Sequence, residues 1–213
     1  GVGDGQGGGA IFINNDCEDI TVQNSNFTSN TANTGGGAIR MEYSENMEVE
    51  NSIFQDNIAK SIYNNPSEVS NGGGAIWTCR GETTVRNSTF ERNQGSYGGA
   101  VRGRVNTYDS DFYLNTAFDG NGGAIDVTID LDQGSNPDLK YVNTTFVNNT
   151  AKGNRDDERA QGGALHMYKI NHVDIIDCEC YNNTADRGGA IDLFIIGTTN
   201  VDNCIIENNS AIH

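Results

Sequence analysis

The sequence predicts an all-β protein: a single-stranded parallel β-helix, or solenoid, of about seven coils with three loop insertions. Two short motifs alternate seven times along the 213 residues, apolar residues alternate with a period of two after the first motif, and every repeat contains a glycine pair. Repetition at this short period is typical of a solenoid, in which each repeat packs on its neighbours. The repeat is shorter than a propeller blade, and it lacks the leucine pattern of a leucine-rich repeat.

The first motif is a glycine pair followed by alanine and then by Ile, Val or Leu. It reads GGGAI from Gly7, Gly35 and Gly72, and it has two glycines from Gly98, Gly122, Gly162 and Gly188. Glycine supplies the positive φ angles and the close backbone approach that a tight corner requires. Apolar residues then alternate, as in Ile125 and Val127, which is the period of a half-buried strand. We therefore interpret each copy as a corner that leads into a strand.

The second motif, Phe-x-x-Asn-x-Ala, supplies one aromatic and one amide position in each repeat. The aromatic position holds Phe27, Phe54, Phe90, Phe112 and Phe146, and then Cys180 and Ile206. The amide position holds Asn30, Asn57, Asn93, Asn115, Asn149, Asn183 and Asn209. Coils of a β-helix stack about 4.8 Å apart, so equivalent residues lie directly above one another. The sequence therefore predicts a stack of rings inside the solenoid and a ladder of amides at a corner.

Three insertions interrupt the regular spacing, at residues 60–71, 130–138 and 152–161. They contain both prolines and much of the charge, as expected of variable surface loops. No proline-rich or serine-rich linker divides the repeats, so we predict a single β-helix domain over residues 1–213. The two ends are in phase with the repeat, which predicts that the chain is part of a longer chain or of a stacked filament.

The chain is strongly acidic, with a formal net charge of -16 and a pI near 4.3. Such a charge repels the phosphates of nucleic acids and the surface of anionic membranes. The sequence contains no run of eighteen apolar residues, the least that a membrane-spanning helix needs. We therefore predict no nucleic-acid partner and no membrane insertion by this segment.

A column of polar and aromatic residues is predicted on the outward side of the coils, two residues after each alanine of the first motif. This outward strip contains Phe12, Arg40, Trp77, Arg102, Asp126, His166 and Asp192. Trp77 would lie between two arginines, and His166 between two aspartates, so cation-π and ion-pair contacts are expected. Three interpretations stay open: ladder pairing that stabilises an exposed sheet, which we favour; a sugar-binding platform; and an acid/base pair of a polysaccharide hydrolase or lyase.

Acidic and amide side chains near the fifth repeat raise the question of a calcium site. The candidate ligands are Asp119, Asn121, Asp130 and Asp132. Calcium takes six to eight oxygen ligands, commonly from one loop. The sequence has neither the twelve-residue calcium loop with a terminal Glu nor the glycine-rich nonapeptide repeat, so solvated acidic loops are the favoured interpretation. No other cofactor is predicted.

Two kinds of covalent modification are compatible with the sequence. Cys178 and Cys204 occupy the same position of adjacent repeats, at a spacing that a disulfide tolerates. Small buried thiols suit that position as well as serine does, so we favour reduced cysteines. Six Asn-x-Ser/Thr sequences permit glycosylation, at Asn26, Asn87, Asn143, Asn148, Asn182 and Asn208.

The alternating GGA[ILV] and FxxN repeats resemble those of the chlamydial polymorphic outer membrane proteins and of similar adhesin-like surface proteins. The resemblance extends over nearly the whole chain, although Cys180 and Ile206 replace the phenylalanine in the last two repeats. It implies a right-handed parallel β-helix outside the cell, used for adhesion or for surface architecture. It does not imply catalysis.

These observations favour a non-enzymatic structural or adhesive protein, either a surface adhesin passenger or a filament building block. The expected location is extracellular or the cell surface. Expected partners are further copies stacked end to end, neighbouring β-helix segments, or host-cell and glycan ligands. The alternative is a carbohydrate-binding or polysaccharide-degrading β-helix protein that uses the outward strip.

Overall fold

The computed structural model of the chain describes residues 7–60, 72–128, 136–153 and 159–212. These residues form 24 β-strands, which repeat along the chain as seven coils. Within these ranges there is no helix, and therefore none that is long and apolar enough to cross a membrane.

The first four coils contain strands β1 to β14. Their bounds are β1 (Ile11–Asn14), β2 (Ile20–Gln23), β3 (Asn26–Thr28) and β4 (Thr31–Ala32) in coil 1; β5 (Ile39–Glu42), β6 (Asn46–Glu50), β7 (Ile53–Gln55) and β8 (Ile58–Ala59) in coil 2; β9 (Ile76–Arg86), β10 (Thr89–Glu91) and β11 (Gln94–Gly95) in coil 3; and β12 (Val101–Tyr108), β13 (Asp111–Tyr113) and β14 (Thr116–Ala117) in coil 4.

The last three coils contain strands β15 to β24. Their bounds are β15 (Ile125–Thr128), β16 (Asp138–Val142), β17 (Thr145–Val147) and β18 (Thr150–Ala151) in coil 5; β19 (Leu165–Ile176), β20 (Glu179–Tyr181) and β21 (Thr184–Ala185) in coil 6; and β22 (Ile191–Asp202), β23 (Ile205–Glu207) and β24 (Ser210–Ala211) in coil 7.

The strands pair in parallel and build three stacked sheets in the described part of the chain. The long sheet takes the first one or two strands of each coil, the aromatic sheet runs in the order β3-β7-β10-β13-β17-β20-β23, and the short sheet runs in the order β4-β8-β11-β14-β18-β21-β24. Each sheet receives a strand from every coil in turn. This arrangement is consistent with the predicted β-helix.

The phenylalanines of the second motif stack inside the solenoid. Rings from adjacent coils lie nearly parallel, with centroid separations of 4.7 Å for Phe27 and Phe54, 4.7 Å for Phe54 and Phe90, 4.8 Å for Phe90 and Phe112, and 5.1 Å for Phe112 and Phe146. The register then places Cys180 and Ile206 in the same column. Buried Ile, Val, Leu and Met side chains of the long sheet complete the core.

The asparagines of the second motif form a continuous hydrogen-bonded ladder. Asn115 illustrates its repeating unit, because its Nδ2 donates to Asn149 Oδ1 at 3.0 Å and to the carbonyl oxygen of Phe90 at 2.9 Å. Its Oδ1 accepts from the backbone N–H and from Nδ2 of Asn93, both at 3.0 Å. Asn57, Asn93, Asn115, Asn149 and Asn183 are fully buried. Each inner amide therefore satisfies backbone groups of the preceding coil and links its own coil to both neighbouring coils.

Two corner columns of each coil adopt left-handed backbone conformations. The column between the long and aromatic sheets has φ between 44° and 54°, at Asn24, Asn51, Asn87, Asp109, Asn143, Asp177 and Asn203. The column between the aromatic and short sheets has φ between 53° and 57°, at Ser29, Asp56, Arg92, Leu114, Asn148, Asn182 and Asn208. Asn and Asp enter this conformation more readily than other side chains do, which explains why they recur at these corners.

The glycine pair acts more through close approach than through φ. The first glycine of the pair has positive φ at Gly98, Gly122, Gly162 and Gly188. Among the GGGA copies, the copy from Gly35 has positive φ at its extra glycine, Gly35, and the copies from Gly7 and Gly72 have none, so the predicted positive φ is wrong for those two copies. The second glycine packs against the next coil. A Cβ added to Gly123 would lie 1.9 Å from the carbonyl oxygen of Gly163. Two non-bonded atoms cannot approach so closely, so this position requires glycine.

Candidate functional site

The outward strip follows the predicted order along the long sheet. Its neighbours pair as Phe12 with Arg40, Arg40 with Trp77, Trp77 with Arg102, Arg102 with Asp126, Asp126 with His166, and His166 with Asp192. The central strip is not an exposed surface, which corrects the interpretation as ladder pairing on an exposed sheet. Arg40 is 2% exposed, Asp126 0% and His166 4%. The ring of Tyr97, in the segment that leads into coil 4, lies over the Arg102 guanidinium, 4.7 Å from its central carbon.

The first three residues of the strip form a cation-π cluster. The Arg40 guanidinium lies 4.2 Å from the centroid of the Trp77 ring and 5.8 Å from that of Phe12, and it forms an ion pair with Glu42. Burial lowers the pKa of Arg40 to about 10. Phe12 remains 44% exposed. A guanidinium held between two rings is stabilised by both, which suits a structural role.

The second half of the strip centres on the buried carboxylate of Asp126. His166 Nδ1 lies 2.7 Å from Asp126 Oδ1, and Arg102 Nε lies 3.5 Å from Asp126 Oδ2. The hydroxyl of Thr128 donates to the same carboxylate at 3.1 Å. His166 Nε2 lies 3.8 Å from Asp192 Oδ2. Asp126 therefore fixes the orientation of both the imidazole and the guanidinium.

A cleft of about 350 Å³ lies over these residues. It is lined by Tyr97, Arg102, Asn121, Thr128, Gln161, His166, Tyr168 and Phe194. Of these, only Arg102 and His166 belong to the outward strip, and Asn121 entered the sequence analysis as a calcium candidate. Binding clefts commonly combine aromatic walls with a few polar groups in this way.

The cleft residues outside the outward strip, which the sequence analysis did not connect with a cleft, fall into two columns. Tyr97, Asn121 and Gln161 stand directly before the glycine pair of three successive coils. Thr128, Tyr168 and Phe194 occupy one column of the long sheet, two residues after the strip. The rings of Tyr168 and Phe194 stack with centroids 5.6 Å apart. Aligning the repeats on these two columns groups the residues, and the structure shows that together they line a cleft.

The two titratable residues at the centre of the strip, Asp126 and His166, differ in their access to the cleft. A general acid or base must reach the proton that it transfers. Asp126 is fully buried and lies beneath the cleft rather than in its wall. In this arrangement Asp126 positions His166 and Arg102, and these two side chains are themselves part of the cleft wall.

Two of the four calcium candidates lie together beside a smaller cleft. Asp119 is 4% exposed, and it lines this cleft with Asn121 and Arg159. Asn121 Oδ1 accepts the backbone N–H of Gln161 at 2.9 Å. Asp130 and Asp132 lie outside the described residues. Among the residues that the structure describes, no three His, Cys, Asp or Glu side chains converge as metal ligands, so calcium binding stays a prediction.

The cysteines and the sequons occupy contrasting environments. All five cysteines are reduced thiols, and Cys178 and Cys180 are buried. Burial raises the pKa of each of these two thiols to about 12. The six sequon asparagines are exposed, so their side chains are accessible, and their glycosylation stays a prediction.

Comparison with known proteins agrees with the repeat pattern. Residues 24–41 and 51–79 match the Chlamydia polymorphic membrane protein repeat. Over 96% of its length the chain is 27% identical to the probable autotransporter YfaL of Escherichia coli (strain K12), and the chain spans 16% of that relative's length. No solved structure matches the chain significantly. The chain therefore carries repeats of the Chlamydia polymorphic membrane protein type.

Proposed function

We propose that this chain is a segment of a surface-exposed, passenger-like, right-handed β-helix that serves a structural and adhesive function outside the cell. One observation carries the proposal: the two motifs found in the matched residues recur in all seven coils, and the Asn ladder joins each coil to the next. A solenoid of this kind is a rigid support whose outward residues are free to differ between coils. The similarity to a probable autotransporter supports the surface location.

Labelling of cells that produce the protein tests the surface location. Antibodies raised against the purified chain are applied to intact and to permeabilised cells, and a cytoplasmic protein serves as the control for leakage. We expect the antibodies to label intact cells, and external protease to remove the signal. Labelling confined to permeabilised cells would refute the proposal.

Carbohydrate binding at the cleft is the second candidate function. It is favoured by the aromatic and amide side chains that line the cleft. Degradation of a polysaccharide would in addition require a proton-transferring group that reaches the ligand. Incubation with acidic polysaccharides, followed by assay of new reducing ends, tests this. Product that forms with the wild type and not with His166→Ala would assign an enzyme, whereas we expect none with either protein.

Stacking of copies end to end is a further proposal about partners. In coil 7, Val201 and Ile206 are 50% and 47% exposed, although equivalent residues of inner coils are buried. Another coil of the same repeat type would cover them. Electron microscopy at rising concentration should show fibres if copies stack, and monomers at every concentration would exclude stacking. Loss of fibres in chelator would implicate calcium.

A further inference from the structure

The cleft over coils 4 to 7 contains one buried cationic group with an unused donor. Arg102 is 8% exposed and lines the cleft. Its Nε faces Asp126 at 3.5 Å, and its guanidinium carbon lies 4.7 Å from the centroid of the Tyr97 ring. Its Nη1 is buried and has no hydrogen-bond partner in the described part of the chain. A buried donor without an acceptor destabilises a protein, so this atom marks a place where a ligand acceptor would fit.

The contacts of Asp126 explain why this carboxylate leaves Nη1 free. Its Oδ1 accepts from His166 and Thr128, and its Oδ2 contacts Thr128 and Arg102 Nε. The carboxylate is therefore shared among three groups and pairs with one edge of the guanidinium. A planar guanidinium presents several donors in a fixed fork, and the remaining edge is available to a second planar anion.

The remaining walls of the cleft suit a sugar ring. Asn121 and Gln161 supply amide groups for hydroxyls, while Tyr97, Tyr168 and Phe194 supply aromatic surface for the apolar face of a ring. A sugar ring has polar hydroxyls and an apolar face, so it fits a cleft that combines hydrogen-bonding groups with aromatic surface. Phe194 is 56% exposed and stacks on Tyr168, so its ring forms the outer rim.

Local charge selects a singly charged ligand. Asp126 and Asp192 lie on either side of His166, and the whole chain carries a formal charge of -16. A doubly charged phosphate would be repelled by both carboxylates. One carboxylate matches one free guanidinium edge.

We propose that this cleft binds the carboxylate of an acidic sugar residue through Arg102 Nη1, with the sugar ring held between the aromatic wall and the two amides. The inference rests on the adhesive function proposed above and names its ligand class as uronate-type glycans. It assigns Arg102 as the anion-binding residue, and it assigns Asp126 as the residue that positions Arg102.

Titration of the purified chain with methyl β-D-glucuronide tests the proposal, with binding measured by NMR or calorimetry. Methyl β-D-glucoside is the neutral analogue of the same shape, and inorganic phosphate is the competing anion. The test variant is Arg102→Gln. Arg86→Gln is the matched control, because Arg86 also pairs with a carboxylate, Glu48 at 3.3 Å, and stacks on Tyr108 at 4.1 Å, but lies outside the cleft. Phe194→Ala is a second test variant. It removes an exposed residue of the cleft wall, so it still tests binding at the cleft if Arg102→Gln fails to fold.

We expect the wild type and Arg86→Gln to prefer the glucuronide over the glucoside by roughly tenfold or more, as for a hydrogen bond to a charged group. Arg102→Gln should lose this preference, and Phe194→Ala should weaken the binding of both sugars. The inference is overturned by equal binding of the two sugars, by an unchanged preference in Arg102→Gln, by the absence of saturable binding, or by tighter binding of phosphate. Surface labelling of cells is independent of this titration, so a displayed chain that fails to bind would refute the ligand and leave the proposed location intact.

Discussion

Removal of one amide from the middle of the asparagine ladder tests whether the ladder stabilises the coil stack. Asn115→Ala deletes a side chain that is fully buried and makes four hydrogen bonds. The backbone N–H and one amide N–H of Asn93 lose their acceptor, and the carbonyl oxygen of Phe90 loses a donor. Asn149 keeps the bond from the backbone N–H of residue 115, so the damage is concentrated on the side of coil 3.

The expected cost follows from the groups that are left unsatisfied. An unsatisfied buried donor or acceptor costs about 1–3 kcal/mol, and three are created here. We therefore expect Asn115→Ala to lower the free energy of unfolding by about 3 kcal/mol or more. Asn115→Asp tests the donors separately, because it keeps the acceptor and points carboxylate oxygen at Phe90 O and Asn149 Oδ1. It should destabilise the fold as much as alanine does.

Asn30→Ala is the matched control, at the edge of the same ladder. Asn30 is half-buried, and its Nδ2 donates to Asn57 Oδ1 at 2.9 Å. Its loss should cost about 0.5–1.5 kcal/mol. Urea unfolding followed by circular dichroism gives the free energy for each variant. A cost below about 1 kcal/mol for Asn115→Ala, or a cost equal to that of Asn30→Ala, would refute the reasoning.

Three further variants or reagents probe the packing of the solenoid. Gly123→Ala places a Cβ 1.9 Å from a carbonyl oxygen of the next coil and should lower the free energy of unfolding by about 3 kcal/mol or more. Gly7→Ala is the control, because its Cβ meets no atom within 4 Å, and it should leave the free energy unchanged in the same urea assay. Equal losses in the two variants would contradict the steric argument. Tyr141→Phe should leave stability unchanged or raise it by about 1–3 kcal/mol, because the Tyr141 hydroxyl is buried without a hydrogen-bond partner among the described residues. Burial also raises the pKa of Tyr141. The wild type should therefore lose stability as the pH rises above about 10, because Tyr141 releases its proton there in the unfolded chain and not in the folded one. A loss of the same size in Tyr141→Phe would exclude Tyr141 as the cause. Burial raises the pKa of Cys178 and Cys180 to about 12, so mass spectrometry after alkylation of the native protein should find the other three cysteines modified and these two intact until urea is added.

The spacing of the motifs in the sequence predicts which residues stack in adjacent coils. Because each coil contributes one strand to the aromatic sheet, aligning the second motif predicts that Phe54 lies over Phe27 and that Phe90 lies over Phe54, and the structure pairs them so. The left-handed corners were not predicted, although many of them hold Asn or Asp, which favour this conformation. Arg92 and Leu114 occupy the same backbone conformation, so residue type alone does not identify every corner.

Burial of the outward strip could not be derived from strand periodicity. A period of two tells which side chains leave the core, but not whether a connecting segment then covers them. Tyr97 precedes a glycine pair, and its ring lies over Arg102 because the chain turns there. The conformation of that turn depends on close contacts between backbones of adjacent coils. For the same reason the cleft, which is built from two such columns, was missed.

The repeats separate residues that hold the fold from residues that are free to vary. The amide position holds one residue type in all seven coils, whereas the outward strip holds Phe, Arg, Trp, Asp and His in the same number of positions. The amides hydrogen-bond along the whole stack, so a change in one coil damages its neighbours. Each strip residue contacts mainly its neighbours in the adjacent coils, so a substitution there changes the structure locally. Ligand specificity can therefore change in the strip and in the columns above it while the ladders keep the coils in register, and this is why the cleft is the part of the molecule where a binding function should be sought.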